Sequence, residues 1–284
     1  GRKPIETVLE GDLVLTHTDT YKPNLHLITK EYDGKFVYLN TTASYNNELC
    51  STENHRIFGL KLNSVSCLKN TDIYKPEWIR ADNYRIGDYI KLNYDRTVLD
   101  PNLNVFDYIK NHLPCEGYLL EDSGKITKRT YEGKERSINN ITNFNIYSEK
   151  FFRLLGYYLA EGHYYDKVKG SENVGFTFNI NESEYIRDVK EILESFGAAV
   201  SIVENTSDNS TKITTSSKVI SSALFLLCGK HSGSKILSKE IYLAPLQYQK
   251  QLLSGVIRGD GSTVISGFTL TLHNKELMYQ LRDI

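Results

Sequence analysis

The spacing of apolar residues changes character along this chain. Up to about residue 95 they alternate in short runs cut by turn residues, and from Ser148 they recur at helical spacing. In the first stretch, Ile5 to Thr16 alternates around Glu10-Gly11-Asp12. Asp33-Gly34 separates LHLITKEY from KFVYLNTT as a hairpin signal, and Gly87-Asp88 leads into YIKL. This predicts an all-β module over 1–95. Residues 96–147 break every period with Pro101, Pro114, glycines and asparagines, so they read as a linker or a small inserted module.

Beyond it, Ser148 is placed to cap a helix through FFRLLGYYLA that Gly162 ends. VGFTFNI reads as a strand. NESEYIRDVKEILESFG reads as an amphipathic helix, with Asn181 and Glu184 as a capping-box-like pair and Ile186, Val189, Leu193 and Phe196 on one face. The strands AVSIVEN and TKITTS follow, then a helix over KVISSALFLLCG. A further helix begins at Pro245, runs through QYQKQLLSGVIRG and ends at Gly261.

Two segments repeat in register. Leu154-Leu155-Gly156-Tyr157-Tyr158-Leu159-Ala160-Glu161-Gly162 matches Leu253-Ser254-Gly255-Val256-Ile257-Arg258-Gly259-Asp260-Gly261. Each carries two small residues four apart, then an acid, then a glycine, which implies two similar half-domains. Small residues at i and i+4 share a helix face and let two backbones approach closely. If Gly156 and Ala160 pack on Gly255 and Gly259, Glu161 and Asp260 emerge at the same end of one interface. A carboxylate at a helix C-terminus faces the negative end of the macrodipole, at a cost of ~0.3–1 kcal/mol, and two of them also repel. A divalent cation relieves both, hard carboxylate oxygens suit Mg²⁺, and carboxylates paired on metal perform in-line phosphodiester hydrolysis. The bland alternative is a tight helix contact with an acid at each frayed end.

Composition narrows the classes. The 284 residues are 40% hydrophobic, 24% charged and 11% aromatic, which suits a soluble globular chain of about two domains and excludes collagen, long coiled coil and wholesale disorder. No apolar run approaches a membrane span and no leader opens the chain, so an intracellular, cytoplasmic protein without a membrane partner is expected. Cys50, Cys67, Cys115 and Cys228 show no CxxC spacing and read as reduced, mostly packed thiols. The net charge of −1, from 34 basic and 35 acidic residues, offers no overall surplus for nucleic acid. Residues 148–284 carry 15 of each sign, so any such affinity needs a segregated patch.

LLGYYLAEG and LSGVIRGDG resemble the two signatures of the LAGLIDADG homing endonucleases. The resemblance implies αββαββα half-domains with the signature helices at a pseudo-twofold interface. It also implies divalent metal, Mg²⁺ or another, held by Glu161 and Asp260. Glu in place of the commoner Asp departs from the pattern but keeps the charge. GKHSGSKILSKEI resembles the family's lysine block, which makes Lys235 the residue that assists catalysis; its bland reading is a surface lysine. The implied partner is a long double-stranded DNA site lying across saddle strands around 174–180 and 200–215, whose Thr, Ser and Asn suit hydrogen bonds to bases and phosphates.

The N-terminal stretch carries a second resemblance. GRKPIETVLEGDLVLT is similar to the opening of an intein's Hint splicing domain just after its first strand. Thr52-Glu53-Asn54-His55 matches the TxxH block, and WIRADNYRIGDYIKL the following strand pair. The resemblance implies that His55 polarises the scissile amide during the acyl shift, while Thr52 helps hold the geometry. No nucleophilic Cys or Ser opens the chain, the terminal His-Asn block is absent at Ile284, and the second endonuclease half stops early. Self-splicing of this chain is therefore not expected.

The combined expectation is an α+β chain: a partial all-β Hint domain over 1–95, a linker or inserted DNA-recognition module over 96–147, and a C-terminally incomplete LAGLIDADG endonuclease over 148–284. It acts as a monomer on double-stranded DNA, with host exteins covalently joined in the full precursor. Two alternatives stay open: a DNA-binding regulator that borrows the fold without cutting, and an inactive intein remnant. A secreted hedgehog-type autoprocessing domain fits poorly, because it carries no endonuclease.

Overall fold

The computed structural model describes residues 3–41, 49–62, 75–93, 97–112, 118–129, 135–166, 172–264 and 267–284. The chain divides into two compact units, Gly1–Arg96 and Thr97–Ile284.

The first unit is built from short antiparallel strands. β1 (Leu13–Leu15) pairs with β2 (Tyr21–Pro23), and β3 (Phe36–Leu39) with β4 (Leu49–Thr52). β5 (Arg56–Leu60) lies between β6 (Glu77–Arg80) and β7 (Tyr89–Ile90). Gly11 and Gly87 turn the chain at φ 87° and 100°, in the left-handed region glycine adopts without penalty. The Asp33-Gly34 hairpin does not form. Residues 25–32 carry no strand, Gly34 lies against the Tyr32 ring, and β3 takes its partner downstream from β4. A two-residue primed turn needs positive φ at its centre, and Gly34 does not have it. Among the described residues of this unit, few large apolar side chains are buried. Ile79 is, whereas Ile5, Leu25 and Ile28 are exposed.

The second unit holds the main core. Residues 96–147, expected as a linker or an inserted module, contain α1 (Val105–His112) and the antiparallel strands β8 (Tyr118–Leu120), β9 (Lys125–Arg129) and β10 (Glu135–Thr142), in the order β10-β9-β8. Val105, Tyr108, Ile126 and Ile141 join the same apolar core as the helices that follow. In the sequence this burial is hidden by the prolines and asparagines around it.

Then come α2 (Glu149–Glu161), β11 (Gly162–Asp166), β12 (Glu172–Asn179), α3 (Ser183–Ser195), β13 (Ser201–Asn205), β14 (Ser210–Thr215) and α4 (Lys218–Cys228). The sheet order is β11-β12-β14-β13, all antiparallel. Ser148 caps α2 by accepting from the Phe151 N–H at 3.3 Å, and Ser217 caps α4 by accepting from the Ile220 N–H. The expected Asn181–Glu184 box does not form. Glu182 is the N-cap of α3, and its carboxylate instead accepts from the Asn179 N–H at 2.8 Å. The apolar side chains of α2 and of β12 and β14 interleave: Phe151, Leu155, Tyr158, Phe176 and Ile213 have no exposed surface. The sheet's other face carries Ser201, Thr214 and Gly175 in one row and Lys212 between Thr177 and Val203 in the next.

The short α5 (Lys239–Tyr242) leads to α6 (Leu246–Asp260), the hairpin β15 (Gly261–Val264) and β16 (Gly267–Leu270), and α7 (Lys275–Asp283). α7 is capped by Asn274. Among the cysteines, Cys228 is fully buried and burial pushes its thiol up to about 12. Cys50 is exposed, contrary to the expectation of packed thiols, while Cys67 and Cys115 lie outside the described residues.

Candidate functional site

The two repeated segments are the C-terminal halves of α2 and α6, and the helices pack against each other at their glycines. A Cβ on Gly156 would meet the Leu252 carbonyl oxygen, with Gly255 Cα at 2.8 Å and Val256 N at 2.9 Å. A Cβ on Gly255 would meet the Arg153 carbonyl oxygen and lie 2.9 Å from Gly156 Cα. One turn on, a Cβ on Gly259 would strike the Ala160 methyl and lie 3.1 Å from Glu161 Cγ. The pairs Gly156–Gly255 and Ala160–Gly259 therefore form the crossing, and Glu161 and Asp260 leave it at the same end.

Gly162 and Gly261 end these helices differently from expectation. Their φ values are −78° and −88°, so neither makes a left-handed cap, and the chain passes straight into β11 and β15. Glycine is required there by crowding, because a Cβ at each would meet the helix's own last turn: the Tyr158 carbonyl and ring, and the Ile257 carbonyl.

The acids are strongly perturbed. Burial, followed by the neighbouring Asp260 and Glu182, raises Glu161 to about 7, against a partial opposing pull from Lys235. Burial also raises Asp260, again opposed by Lys235. Both observations describe a pocket in which ionised carboxylates lack enough positive charge. Among the described residues no cluster of three or more His, Cys, Asp or Glu could hold a metal alone. Two hard carboxylates nonetheless fit Mg²⁺, which keeps several waters and commonly takes one or two protein carboxylates together with substrate phosphates.

Lys235 is not a surface lysine: only 2% of it is exposed. Its ammonium donates to the carbonyl oxygens of Tyr158 at 2.5 Å, Leu159 at 3.2 Å and Gly162 at 2.7 Å, and it lies 4.7 Å from the centre of the Tyr158 ring. It thus caps the C-terminal turn of α2, where carbonyls lack intrahelical partners and the macrodipole is negative. Burial lowers its pKa to about 8, against the pull of Cys228, Asp260 and Glu161 toward the cation. Its loop is held by α7. The Asn274 amide donates to the Lys235 carbonyl at 2.6 Å, and Gln280 exchanges two hydrogen bonds with the Leu237 backbone.

Several residues of this region stand outside the sequence expectation. Asp188 of α3 accepts bidentately from Arg153, at 2.7 and 2.8 Å, from Tyr157 at 3.0 Å and from Arg258 at 3.2 Å. The one signal available was an arginine and a tyrosine four apart, Arg153 and Tyr157, in an otherwise apolar helix face. On β11, His163 and Tyr165 are hydrogen-bonded, and Lys212 lies 4.4 Å above the Tyr165 ring. Thr52 and His55 belong to the first unit. The Thr52 hydroxyl donates to Asn54 Oδ1 at 2.8 Å, the His55 N–H donates to the Thr52 carbonyl at 3.0 Å, and His55 itself is exposed.

Residues 148–230 match the model of the LAGLIDADG-like domain. That span runs from the cap of α2 to just past α4, one complete αββαββα unit, so the chain is a mixed α+β protein with a LAGLIDADG-like domain. Two uncharacterized proteins of Methanocaldococcus jannaschii are similar to it. One is 28% identical over 72% of this chain and 23% of its own length, the other 25% identical over all of this chain and 35% of its own. An iron-sulfur cluster assembly SufBD family protein of Mycobacterium bovis is 24% identical over 92% of this chain and 27% of its own length. The chain thus spans about a quarter to a third of these relatives. Among solved structures, the homing endonuclease I-DmoI in complex with DNA and Ca is 18% identical over 47% of this chain and 68% of that one, with a TM-score of 0.37.

The raised acids carry a pH signature. Raised carboxylates hold protons in the folded state that the unfolded chain has already released, so folding stability falls as pH rises from about 4.5 toward 7. In calorimetry the wild type should lose stability relative to Glu161→Gln across that window. Parallel pH profiles for the two proteins would contradict the assignment.

Proposed function

We propose that this chain is the interior of an intein whose LAGLIDADG domain hydrolyses phosphodiester bonds of double-stranded DNA with divalent metal. The observation that carries the reading is the convergence of Glu161 and Asp260 at one end of a glycine-lined helix crossing, where burial raises Glu161 to about 7 and also raises Asp260. A divalent ion bound there supplies Lewis-acid stabilisation of the charge that develops on the scissile phosphate. Glu161 and Asp260 hold the ion, Mg²⁺ being the first choice. Lys235 keeps the end of α2 in place and contributes positive potential from below. The polar face of the β11–β14 sheet presents Thr177, Lys212, Thr214 and Ser201 to the duplex.

The intein part rests on the resemblance of residues 1–95 to a Hint domain, with Thr52 and His55 assisting the acyl shift. Host exteins are then covalent partners of the full precursor, and the reaction runs inside the cell.

The test is incubation of the purified protein with a degenerate duplex library, followed by sequencing of the new ends. The reading expects Mg²⁺-dependent ends at one sequence, absent with EDTA and absent for Glu161→Gln and Asp260→Asn. Sequence-selective binding with no ends under any metal would make the protein a non-cutting DNA binder. Neither binding nor ends would make it an inactive remnant.

A further inference from the structure

The crossing of α2 and α6 has an unusual weakness. At Gly156 and Gly255 the backbones meet directly, with no side chains to interlock. Ordinary helix pairs fix their axial position by ridges seated in grooves. The Gly156–Gly255 contact contributes no such ridge, and the Ala160 methyl against Gly259 supplies only a small one, so groups beside the glycines add to the axial register. Each residue of slip moves a side chain by ~1.5 Å along the axis. That displacement is large for two carboxylates that share a cation with bond lengths near 2 Å.

A polar network flanks the smooth contact on one side. Arg153 of α2 donates to Gln251 of α6 at 3.0 Å, and Arg258 of α6 donates to the Tyr157 hydroxyl of α2 at 3.1 Å. These cross-pairs lie on either side of the glycines. Both arginines and Tyr157 converge on Asp188 of α3, whose carboxylate takes four hydrogen bonds from three side chains. Its side chain is 18% exposed, so these bonds are only weakly screened by water. The hub also breaks the repeat, because the position of Arg258 in the second segment is occupied by the apolar Leu159 in the first. Arg258 stands two residues before Asp260.

We propose that Asp188 is a positioning residue: it fixes the axial register of α2 against α6, and thereby the relative height of Glu161 and Asp260. The consequence for metal rests on the function proposed above; the register itself does not.

The test uses the whole chain with Cys50, Cys67 and Cys115 replaced by serine and the buried Cys228 left in place. Nitroxide labels go on Lys150→Cys and Lys250→Cys, exposed positions of α2 and α6. Double electron–electron resonance then reads the distance distribution between the helices without any metal. Asp188→Asn keeps the side chain's shape and removes its charge. It should broaden or displace the distribution by the ~1.5 Å of one residue's slip or more. Calorimetric titration with Mn²⁺ on the unlabelled variant should show affinity weakened by roughly 10–100-fold, the usual range for a group that holds a ligand in place. Should Asp188→Asn not fold, Arg258→Met leaves the Arg153 pair intact and gives the same readout. An unchanged distribution in a folded variant overturns the proposal, whatever Mn²⁺ does. A broadened distribution in a protein that binds no Mn²⁺ upholds the register role and removes the metal reading instead.

Discussion

Gly156→Val should be among the most destabilising single changes in the second unit. The nearest atoms the added carbons would meet are all backbone: the Leu252 carbonyl, Gly255 Cα and Val256 N. A flexible neighbour could swing away, but these atoms belong to the partner helix, so the whole of α6 must retreat. Overpacking of this kind costs about 1–3 kcal/mol per site even when side chains can adjust, and here they cannot. Replacing glycine within a helix returns at most ~1 kcal/mol of propensity. A net loss of roughly 3 kcal/mol or more corresponds to a fall in Tm of about 10 °C for a unit of this size. Gly255→Val should behave alike, because its space is closed by the Arg153 carbonyl and Gly156 Cα. Gly233→Ala is the control: a Cβ there meets nothing within 4 Å, so its Tm should hardly move. Thermal unfolding followed by circular dichroism decides the matter. A Gly156→Val protein as stable as the control would mean that the helices do not meet at these glycines.

Lys235→Met should produce the second large effect. Methionine fills a similar volume but leaves the Leu159 and Gly162 carbonyl oxygens without the ammonium that now serves them. Tyr158 O is less affected, since it still accepts from the Gly162 N–H. Charge-assisted bonds of this type contribute about 1.5–3 kcal/mol each, and relief from burying the cation offsets part of that sum. A net destabilisation of roughly 2–4 kcal/mol in urea titration is expected. The variant should also push Glu161 still higher than about 7, since Lys235 is the cation that opposes its protonation. A neutral or stabilised Lys235→Met protein would show that burial of the ammonium costs more than its three carbonyl bonds return. That outcome would remove Lys235 from the support of α2.

These outcomes bear on how the site is built. The carboxylates are held at the ends of two helices whose closeness depends on absent side chains, and their burial there is what chiefly raises them. One cation, Lys235, is fixed underneath by an element of the second half, α7, through Asn274 and Gln280. The halves are therefore interlocked beyond the crossing itself, and unequally: the described lysine cap serves the α2 end.

Much of this was written locally in the chain. The repeated small residues, the acids after them and the helical spacing of LLGYYLA and LLSGVIR determined where the crossing lies and which groups emerge from it, because close backbone approach needs residues without bulk. Serine caps and alternating strands were equally local, resting on bonds within a few residues. What tertiary structure alone decided are the matters set by partners distant in sequence. The Asp33-Gly34 signal lost to a strand further along, and residues 96–147 proved to carry core side chains such as Val105 and Ile141. Lys235 turned inward, since three carbonyls more than seventy residues away compensate its burial. Asp188 gained its importance only when α3 brought it between two arginines from different helices. A motif can specify which backbones touch; the electrostatic surroundings of a charge are specified only by everything that folds around it.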